Sequence, residues 1–536
     1  MPAPFDWEFP YPSQRMPVLA ANMVATSQPI AAQAGLRMLA LGGNAADAAI
    51  ATAATIAVLE PGSNGLGADA FSLIWHEGKL HGLNASGRTP KAMTPDRLKG
   101  LTSMPRFGWD TVTVPGAVSA WVAVSKRFGK LPFAKLLEPA IEYAQNGFPV
   151  APLTAELWRA APSVYLNMPE FAQMFFPNGK GPDTGDRIIF PDHAKTLRLI
   201  AQTNGEAYYR GEIARKIAAH ARETGGLMTE EDLASHTADW VEPISIEYRG
   251  HRIWEIPPNG QGLAVLLALG ILRNREIGSL QVDCPDVLHL QIEAMKLAFA
   301  DAHRYIADAK WMDVDVANLL DNEYLTDRAK LLDPSKAQDP NWGTPKPGGT
   351  ILLTAADSAG MMVSFIQSNY EGFGSGVVIP GTGIHLQNRG SCFDLAPGHP
   401  NQIAGAKRPY HTILPAFLTR PRADGTQEPL MAFGVMGGYM QPQGHLQVIS
   451  RLIDFHQNPQ AALDAPRWQV TREKKLALEP GFAPAIYDEL KRRGHDVTRA
   501  EKQTVLFGGG QIIYRMPNGL YCGASDLRRD GQAVGF

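Results

Sequence analysis

The segment 348–369 constrains the fold of this chain more than any other stretch. It begins with Gly-Gly-Thr, continues as an apolar run, and carries Asp-Ser-Ala-Gly at 357–360, which can close a four-residue hairpin loop. In that hairpin Ala356 faces Met361, so that Thr350 lies opposite Gln367 and next to Ser368. A slip of one residue would exchange these two partners. We therefore expect two paired strands, with Thr350 at the start of the first.

A threonine in this position can act as a nucleophile if the peptide bond before it is cut. The new terminus would carry a hydroxyl and an amine base on one residue, an arrangement suited to amide hydrolysis. Ser368 could then orient the Thr350 hydroxyl. The simpler interpretation is a Gly-Gly hinge before an ordinary strand, and the tripeptide alone favours it.

A second glycine pair is a candidate oxyanion site. The sequence Gly-Val-Met-Gly-Gly at 434–438 follows an apolar strand, and Gly437 and Gly438 can present backbone N–H groups without obstruction by side chains. The alternative is a tight strand-to-helix turn that binds nothing. No Lys-Ser/Thr follows these glycines, so a phosphate-binding loop is excluded.

Composition narrows the class of protein. The 536 residues suggest two or more structural units, and 45% hydrophobic and 19% charged residues indicate a globular protein. A net charge of -3 argues against nucleic acid or an anionic membrane as a partner. Three cysteines are too few for a disulfide framework, and the first ten residues lack a signal-peptide pattern. We therefore expect a cytoplasmic protein.

The periodicity predicts an α+β protein. Helices are expected at 31–41, 45–58, 116–128, 285–309 and 441–455, and strands at 71–75, 80–83, 361–367, 431–435 and 511–515. Residues 334–349 are rich in turn formers and predict an exposed linker. Strands and helices on both sides of that linker predict one layered sandwich.

The histidines show no paired metal spacing. His385, His411 and His445 are expected in core or pocket packing, whereas Asp301 and His303 are expected to make polar structural contacts.

Several motifs, in order along the chain, resemble the γ-glutamyltransferase (glutathione hydrolase) superfamily. They include Met-Val-Ala-Thr-Ser-Gln-Pro at 23–29, Gly-Gly-Asn-Ala-Ala-Asp-Ala-Ala at 42–49, Ser-Asn-Gly-Leu-Gly at 63–67 and Gly-Ala-Ser-Asp-Leu-Arg-Arg at 523–529. The resemblance implies an N-terminal-nucleophile αββα sandwich and a proenzyme that cleaves itself before Thr350. The products would be a large subunit, 1–349, and a small subunit, 350–536, in one catalytic unit without metal or organic cofactor.

The resemblance also implies roles for individual residues. Thr350 would be the nucleophile, Ser368 its support, and Gly437 and Gly438 the oxyanion pair. Thr354 falls where the superfamily has a further hydroxyl.

The chain departs from the superfamily in its acyl pocket. The arginine that holds the substrate α-carboxylate is displaced by two positions, to Arg88. The aspartates that hold the α-amino group are replaced in the run from Gln387 to Phe393, which includes Arg389 and Ser391. A Ser-Ser pair is replaced by His411 and Thr412. This pattern is similar to the branch with oxamate amidohydrolase and cephalosporin-acylase-type enzymes.

Three functions remain open at this point. The first is a threonine amidohydrolase that cleaves a small carboxylate-bearing amide, oxamate-like or glutaryl-type, with Arg88, Arg389 or His411 at the carboxylate. The second is γ-glutamyl hydrolysis or transfer with a rearranged pocket. The third is a catalytically silent scaffold on the same fold. A dimer of processed heterodimers is a further expectation.

Overall fold

The computed structural model describes residues 15–340 and 349–536, with residues 349–351 described by their backbone. The strands are β1 (Val18–Ala20), β2 (Met23–Thr26), β3 (Asp69–His76), β4 (Lys79–Asn84), β5 (Phe148–Pro149), β6 (Arg187–Ile188), β7 (Asp239–Val241), β8 (Ile244–Tyr248), β9 (His251–Glu255), β10 (Gly349–Ala356), β11 (Met362–Tyr370), β12 (Val378–Ile379), β13 (Ile384–His385), β14 (Ala416–Pro421), β15 (Gln427–Met436), β16 (Trp468–Arg472), β17 (Lys475–Leu478), β18 (Asp496–Arg499), β19 (Gly509–Arg515), β20 (Tyr521–Ser525) and β21 (Gln532–Gly535).

The α-helices are α1 (Pro29–Ala40), α2 (Ala45–Leu59), α3 (Ala117–Phe128), α4 (Phe133–Asn146), α5 (Pro152–Ala160), α6 (Pro162–Tyr165), α7 (Pro169–Phe175), α8 (Pro191–Gln202), α9 (Glu206–Arg210), α10 (Glu212–Glu223), α11 (Glu230–Ala234), α12 (Gly262–Leu272), α13 (Pro285–Tyr305), α14 (Val316–Leu319), α15 (Asn322–Lys330), α16 (Met440–Ile453), α17 (Pro459–Asp464) and α18 (Pro484–Arg492). The predicted helices and strands occur, most of them within a few residues of the expected bounds. In the described part of the chain no helix is both long and apolar enough to cross a bilayer.

Two seven-stranded antiparallel sheets form the centre of the fold. The first sheet has the order β21-β2-β10-β11-β3-β4-β7, and the second sheet has the order β1-β20-β19-β15-β14-β9-β8. Apolar side chains from both sheets share one core, in which Leu352 and Ile366 pack with Phe433 and Ile512. Helices α1, α2 and α3 pack on the outer face of the first sheet with α4 behind α2, and α12 and α16 pack on the second sheet with α13 behind α12. The result is an αββα sandwich, as predicted.

Each sheet contains strands from both sides of the predicted cleavage point. We call residues 1–349 the large segment and 350–536 the small segment. In the first sheet β10 of the small segment lies between β2 of the large segment and β11 of the small one. The two segments therefore share their hydrogen-bond ladders and their core.

The hairpin exists, but its predicted register is wrong by one residue. Ala356 pairs with Met362, and the loop has five residues because the Asp357 carboxylate accepts the N–H groups of Ala359 and Met361 at 3.0 and 3.2 Å. Ile351 therefore pairs with Gln367. The ladder shifts again between Ile351 and Gly349, and Gly349 pairs with Tyr370. Thr350 therefore faces the step formed by Ser368 and Asn369.

The linker prediction is only partly testable, because residues 341–348 lie outside the described residues. The preceding stretch is mostly exposed, but Ala337 is buried and its N–H bonds the carbonyl of Arg493 at 2.7 Å. The large segment is thus anchored on the small one 13 residues before Thr350.

The hairpin loop also holds the first turn of α2. The second carboxylate oxygen of buried Asp357 accepts the N–H of Ala45 at 2.9 Å, beside a capping box made by Asn44 and Asp47. Alanine-rich α2 is buried along its whole length and packs on β10 and β11. One carboxylate therefore fixes both the loop and the helix behind the strand.

We predict that Asp357→Ala lowers the free energy of unfolding by about 3 kcal/mol, because two buried N–H groups, those of Ala45 and Met361, and the more exposed N–H of Ala359 lose their carboxylate acceptor. The matched control is Asp424→Ala, which removes an exposed turn carboxylate that accepts from the N–H and hydroxyl of Thr426. Its expected cost is about 0.5 kcal/mol. Urea unfolding of both variants checks this, and equal losses would contradict the assigned role.

Candidate active site

The ends of β10, β11 and β3 bring the predicted nucleophile next to two buried polar residues. Ser368 pairs across the sheet with Asp69, the first residue of β3. Both are fully buried, and the Ser368 hydroxyl accepts the N–H of Tyr370 at 2.8 Å. Gln367 is held from the helical side by Trp121 at 3.1 Å. By strand alternation Ser368 faces the opposite side, toward the second sheet.

Asp69 is the centre of a buried charged cluster. One of its carboxylate oxygens lies 3.1 Å from His411 Nε2 and 3.4 Å from Arg389 Nε. Arg389 Nη1 donates to the Thr412 hydroxyl at 2.7 Å, and the guanidinium lies over the Tyr370 ring at 4.6 Å from its centroid. Asp69 therefore brings together the predicted substrate-binding residues Arg389 and His411, and Arg389 connects them to Thr412.

Burial sets the charges in this cluster. It lowers the pKa of His411 well below its usual value, and the nearby guanidinium groups of Arg389 and Arg408 lower it further. His411 is therefore neutral. Burial raises the pKa of Asp69 to about 7, against the opposing effect of Arg389. The charge that balances Arg389 thus changes near neutral pH.

Arg389 has unused hydrogen-bond donors. Among the described residues neither its Nε nor its Nη2 finds a hydrogen-bond partner, although the side chain is completely buried. Nε is near Asp69, so Nη2 is the donor without a partner. Buried donors of this kind are rare and point to a ligand or to an internal water.

The predicted oxyanion glycines form the turn between β15 and α16. Gly437 and Gly438 have φ angles of +125° and +60°, which L side chains rarely adopt. Their carbonyls accept the N–H groups of Met440 and Gln441, which begin α16. A Cβ at Gly437 would lie 3.1 Å from the backbone of Gly508. Glycine is therefore required at this turn on conformational grounds, and its suitability as an anion site stays a prediction.

A cavity of about 370 Å³ opens beside this turn. Tyr439, the residue after Gly438, lines it together with Tyr370, which pairs with Gly349. Tyr410 stacks on Tyr439 with ring centroids 5.8 Å apart. Predicted Ser391 also lines the cavity, and its hydroxyl donates to the carbonyl of Pro105 at 2.7 Å. An acyl or amine group bound here would meet aromatic walls.

Two predicted site residues have other surroundings. Arg88 is partly exposed, and its guanidinium lies 3.9 Å from Asp239 on β7 instead of joining the Asp69 cluster. Thr354 lies inside the sandwich, opposite Ser364, and its hydroxyl has no partner among the described residues.

The histidine predictions have a mixed outcome. His385, His411 and His445 are buried, as expected. Asp301 makes the expected structural contact, to Arg328 at 3.0 Å. The expectation for His303 was incomplete, because its ring stacks on Tyr410 at 5.7 Å and lines the cavity.

Sequence reasoning missed Asp69. The predicted strand begins at Phe71, the first large apolar side chain, and leaves Asp69 outside it. The observed β3 begins two residues earlier, at Asp69. Its position directly before an apolar strand next to a glycine-rich turn was the available signal.

A separate polar network joins α13 to the small segment. His289, Glu293 and His495 offer three possible metal-ligand atoms within 4.8 Å of one another. His289 Nδ1 and His495 Nε2 share a hydrogen bond of 2.9 Å, and Lys296 pairs with Glu293 at 2.6 Å. These side chains partner one another as they stand.

Comparison with known proteins identifies the family. The gamma-glutamyltranspeptidase family profile matches residues 31–536. The chain is 36% identical to the glutathione hydrolase-like YwrD proenzyme of Bacillus subtilis, over 96% of this chain and 98% of that protein. It is 36% identical to the oxamate amidohydrolase proenzyme of Klebsiella pneumoniae, over the same shares.

A solved structure supports the same assignment. The cephalosporin acylase from Bacillus halodurans is 50% identical and superposes with a TM-score of 0.95, over all of this chain and 99% of that one. Family profile, relatives and fold agree across nearly the whole length, and the chain belongs to the gamma-glutamyltranspeptidase family of N-terminal-nucleophile hydrolases.

Proposed function

We propose that this protein is a self-processing threonine amidohydrolase that acts on small carboxylate-bearing amides. The peptide bond before Thr350 is cut, and the products 1–349 and 350–536 stay together. The supporting observation is the position of the start of β10, which pairs with β11 so that Thr350 faces the Ser368–Asn369 step, while Leu353 to Ala356 further along the strand also pair with β2. Relatives described as proenzymes agree with such processing.

The reaction follows from the chemistry of the new terminus. The Thr350 hydroxyl attacks the acyl carbon while the Thr350 amine accepts its proton. The N–H groups of Gly437 and Gly438 stabilise the oxyanion, and the protonated amine product leaves. Water then hydrolyses the ester on Thr350 and releases the carboxylic acid.

Arg389 is our candidate for the residue that binds the carboxylate of the substrate. Its Nη2 is a buried donor without a partner of good hydrogen-bond geometry among the described residues, and two neighbours of the guanidinium, Tyr370 and Cys392, line the cavity. A charge-assisted hydrogen bond to a carboxylate would satisfy that donor and contributes about 1.5–3 kcal/mol. Oxamate-like and glutaryl-type acyl groups both carry such a carboxylate.

γ-Glutamyl hydrolysis or transfer is the second candidate, because glutathione hydrolase proenzymes are among the relatives. A γ-glutamyl group also carries an α-ammonium, which needs a carboxylate partner. Asp69 is already engaged with His411 and Arg389. This observation favours acyl groups without an ammonium.

A catalytically silent scaffold remains the alternative of another class, and intact Thr350, Ser368 and Gly437-Gly438 weigh against it. Cytoplasmic location and a dimer of processed heterodimers stay predictions.

We predict that Thr350→Ala yields one uncleaved chain and no turnover, because both steps use the same hydroxyl. Thr350→Ser is the matched control and should still cleave and turn over, since it keeps a hydroxyl and an amine. Denaturing electrophoresis and an amide-hydrolysis assay are the measurements. Cleavage that persists in Thr350→Ala would refute the nucleophile assignment.

We predict that Arg389→Lys lowers the preference for a carboxylate-bearing substrate by about 10- to 100-fold. The preference is the ratio of kcat/KM for a glutaryl anilide to that for the uncharged pentanoyl anilide, measured on processed protein. The range corresponds to the loss of one charge-assisted hydrogen bond. Arg106→Lys is the control, since Arg106 pairs with Glu371 at 2.8 Å and is half exposed. An unchanged ratio in Arg389→Lys would remove Arg389 from the acyl pocket.

We predict that the same preference falls as pH rises through about 7. The pKa of Asp69 is raised to about 7, so that below this pH the carboxyl is neutral and the charge of Arg389 is uncompensated. Above it, ionised Asp69 offsets Arg389 and weakens the attraction for a substrate carboxylate. The ratio cancels the titration of the Thr350 amine, which acts on both substrates. In Asp69→Asn the ratio should be independent of pH, and an unchanged slope in that variant would contradict the prediction.

A further inference from the structure

Gln261 connects the large segment to the glycine turn of the small segment. It precedes α12, at the corner that follows β9, and is completely buried. Its side-chain amide nitrogen donates to the carbonyl of Gly438 at 2.9 Å and to that of Thr412 at 2.6 Å. Its oxygen accepts the hydroxyl of Tyr410 at 3.1 Å. All three hydrogen-bonding partners of this side chain are therefore parts of, or neighbours of, the candidate site.

The backbone of this corner is also tied to the site. Gln261 N–H donates to the carbonyl of His411 at 2.9 Å, and His411 N–H donates to the carbonyl of Asn259 at 2.9 Å. The position of the Gln261 side chain is thus set relative to His411 and Thr412, next to Arg389. Gly438 takes its position from the same residue.

A second connection reaches the same turn from the end of β9. Glu255 lies 2.8 Å from His445 Nδ1, and His445 Nε2 accepts the N–H of Val435 at 3.0 Å. Val435 is two residues before Gly437. The glycine turn is therefore held on both sides by side chains that the large segment supplies or orients.

The turn needs such support because glycine has no side chain to restrict its backbone. Oxyanion donors act only when they are fixed in advance within about 0.5 Å of their place. The buried carbonyls of Gly438 and Thr412 accept the two hydrogens of the Gln261 side-chain amide nitrogen. These two bonds fix the distance between the turn and the acyl pocket.

We propose that Gln261 is a positioning residue that sets the Gly437–Gly438 turn relative to the Arg389–Thr412 side of the site. The inference rests on the proposed function, since it takes this turn as the oxyanion site. It assigns a role in the reaction to a residue of the large segment that does not touch the substrate. The rate of the chemical step depends on it more than substrate affinity does.

The test compares Gln261→Met with Gln447→Met. Gln447 is a matched control, because its buried amide nitrogen also donates to two carbonyls, those of Gln443 and Trp468, each at 3.0 Å. Its oxygen accepts the N–H of Trp468 at 3.2 Å. Each variant loses two bonds donated by the amide nitrogen and one accepted by the amide oxygen, so that both should lose similar thermal stability. Only Gln261→Met disconnects the glycine turn.

We expect kcat of Gln261→Met to fall by about 10- to 100-fold, the range for residues that orient catalytic groups, with KM within about threefold. Gln447→Met should keep kcat within about twofold. If Gln261→Met blocks maturation, the rate of self-cleavage replaces kcat as the measurement, with the same expected difference. If it does not fold, Gln261→Glu, which keeps the acceptor for Tyr410 and the size, is measured in its place.

Equal effects of the two variants, or a change in KM alone, would overturn the role of Gln261. Failure of the proposed function has a different signature, because the unmodified protein would then neither cleave itself nor hydrolyse any of the amides.

Discussion

The structure around the proposed cleavage point depends on the hydrogen bonds that hold β10 between β2 and β11. Leu353 to Ala356 pair with β2 of the large segment, and the other edge of β10 pairs with β11. A strand with partners on both sides keeps its place when the chain before it is cut, because its ladder bonds come from neighbouring strands and not from the preceding residues. A new terminus at Thr350 can therefore form without loss of the framework around it.

The interior near the start of this strand contains a cluster of charged and titratable side chains. Asp69, Arg389 and His411 are completely buried, and a buried ion pair contributes little to stability by itself because its desolvation is costly. Removing one partner, however, leaves an uncompensated charge. We therefore infer that the cluster serves to hold Arg389 in place, with one donor left for a ligand. Its contribution to the stability of the fold is secondary.

Much of the fold follows from local signals. Asn44 caps α2, the alanines behind it form a buried helix, and the glycine-rich motifs mark the turns on which the family assignment rests. The hairpin register did not follow, because the Asp357 side chain adds a residue to the loop through bonds that no turn pattern specifies.

The site was predictable where a motif carried it and not where tertiary contacts made it. Ser368, Gly437 and Gly438 come from motifs. Asp69 and Gln261 do not, since their partners are more than 100 residues away in the chain. Arg88 illustrates the converse, because a basic residue near the expected position pairs with Asp239 on a different edge.

In the proposed reaction Thr350 carries the acyl group during turnover. Mass spectrometry of processed protein, quenched in acid during hydrolysis of a glutaryl anilide, tests this step. We expect a small chain that begins at Thr350 and gains the mass of one glutaryl group on its first peptide. An uncut backbone in active protein, or an acyl group on any other residue, would contradict it.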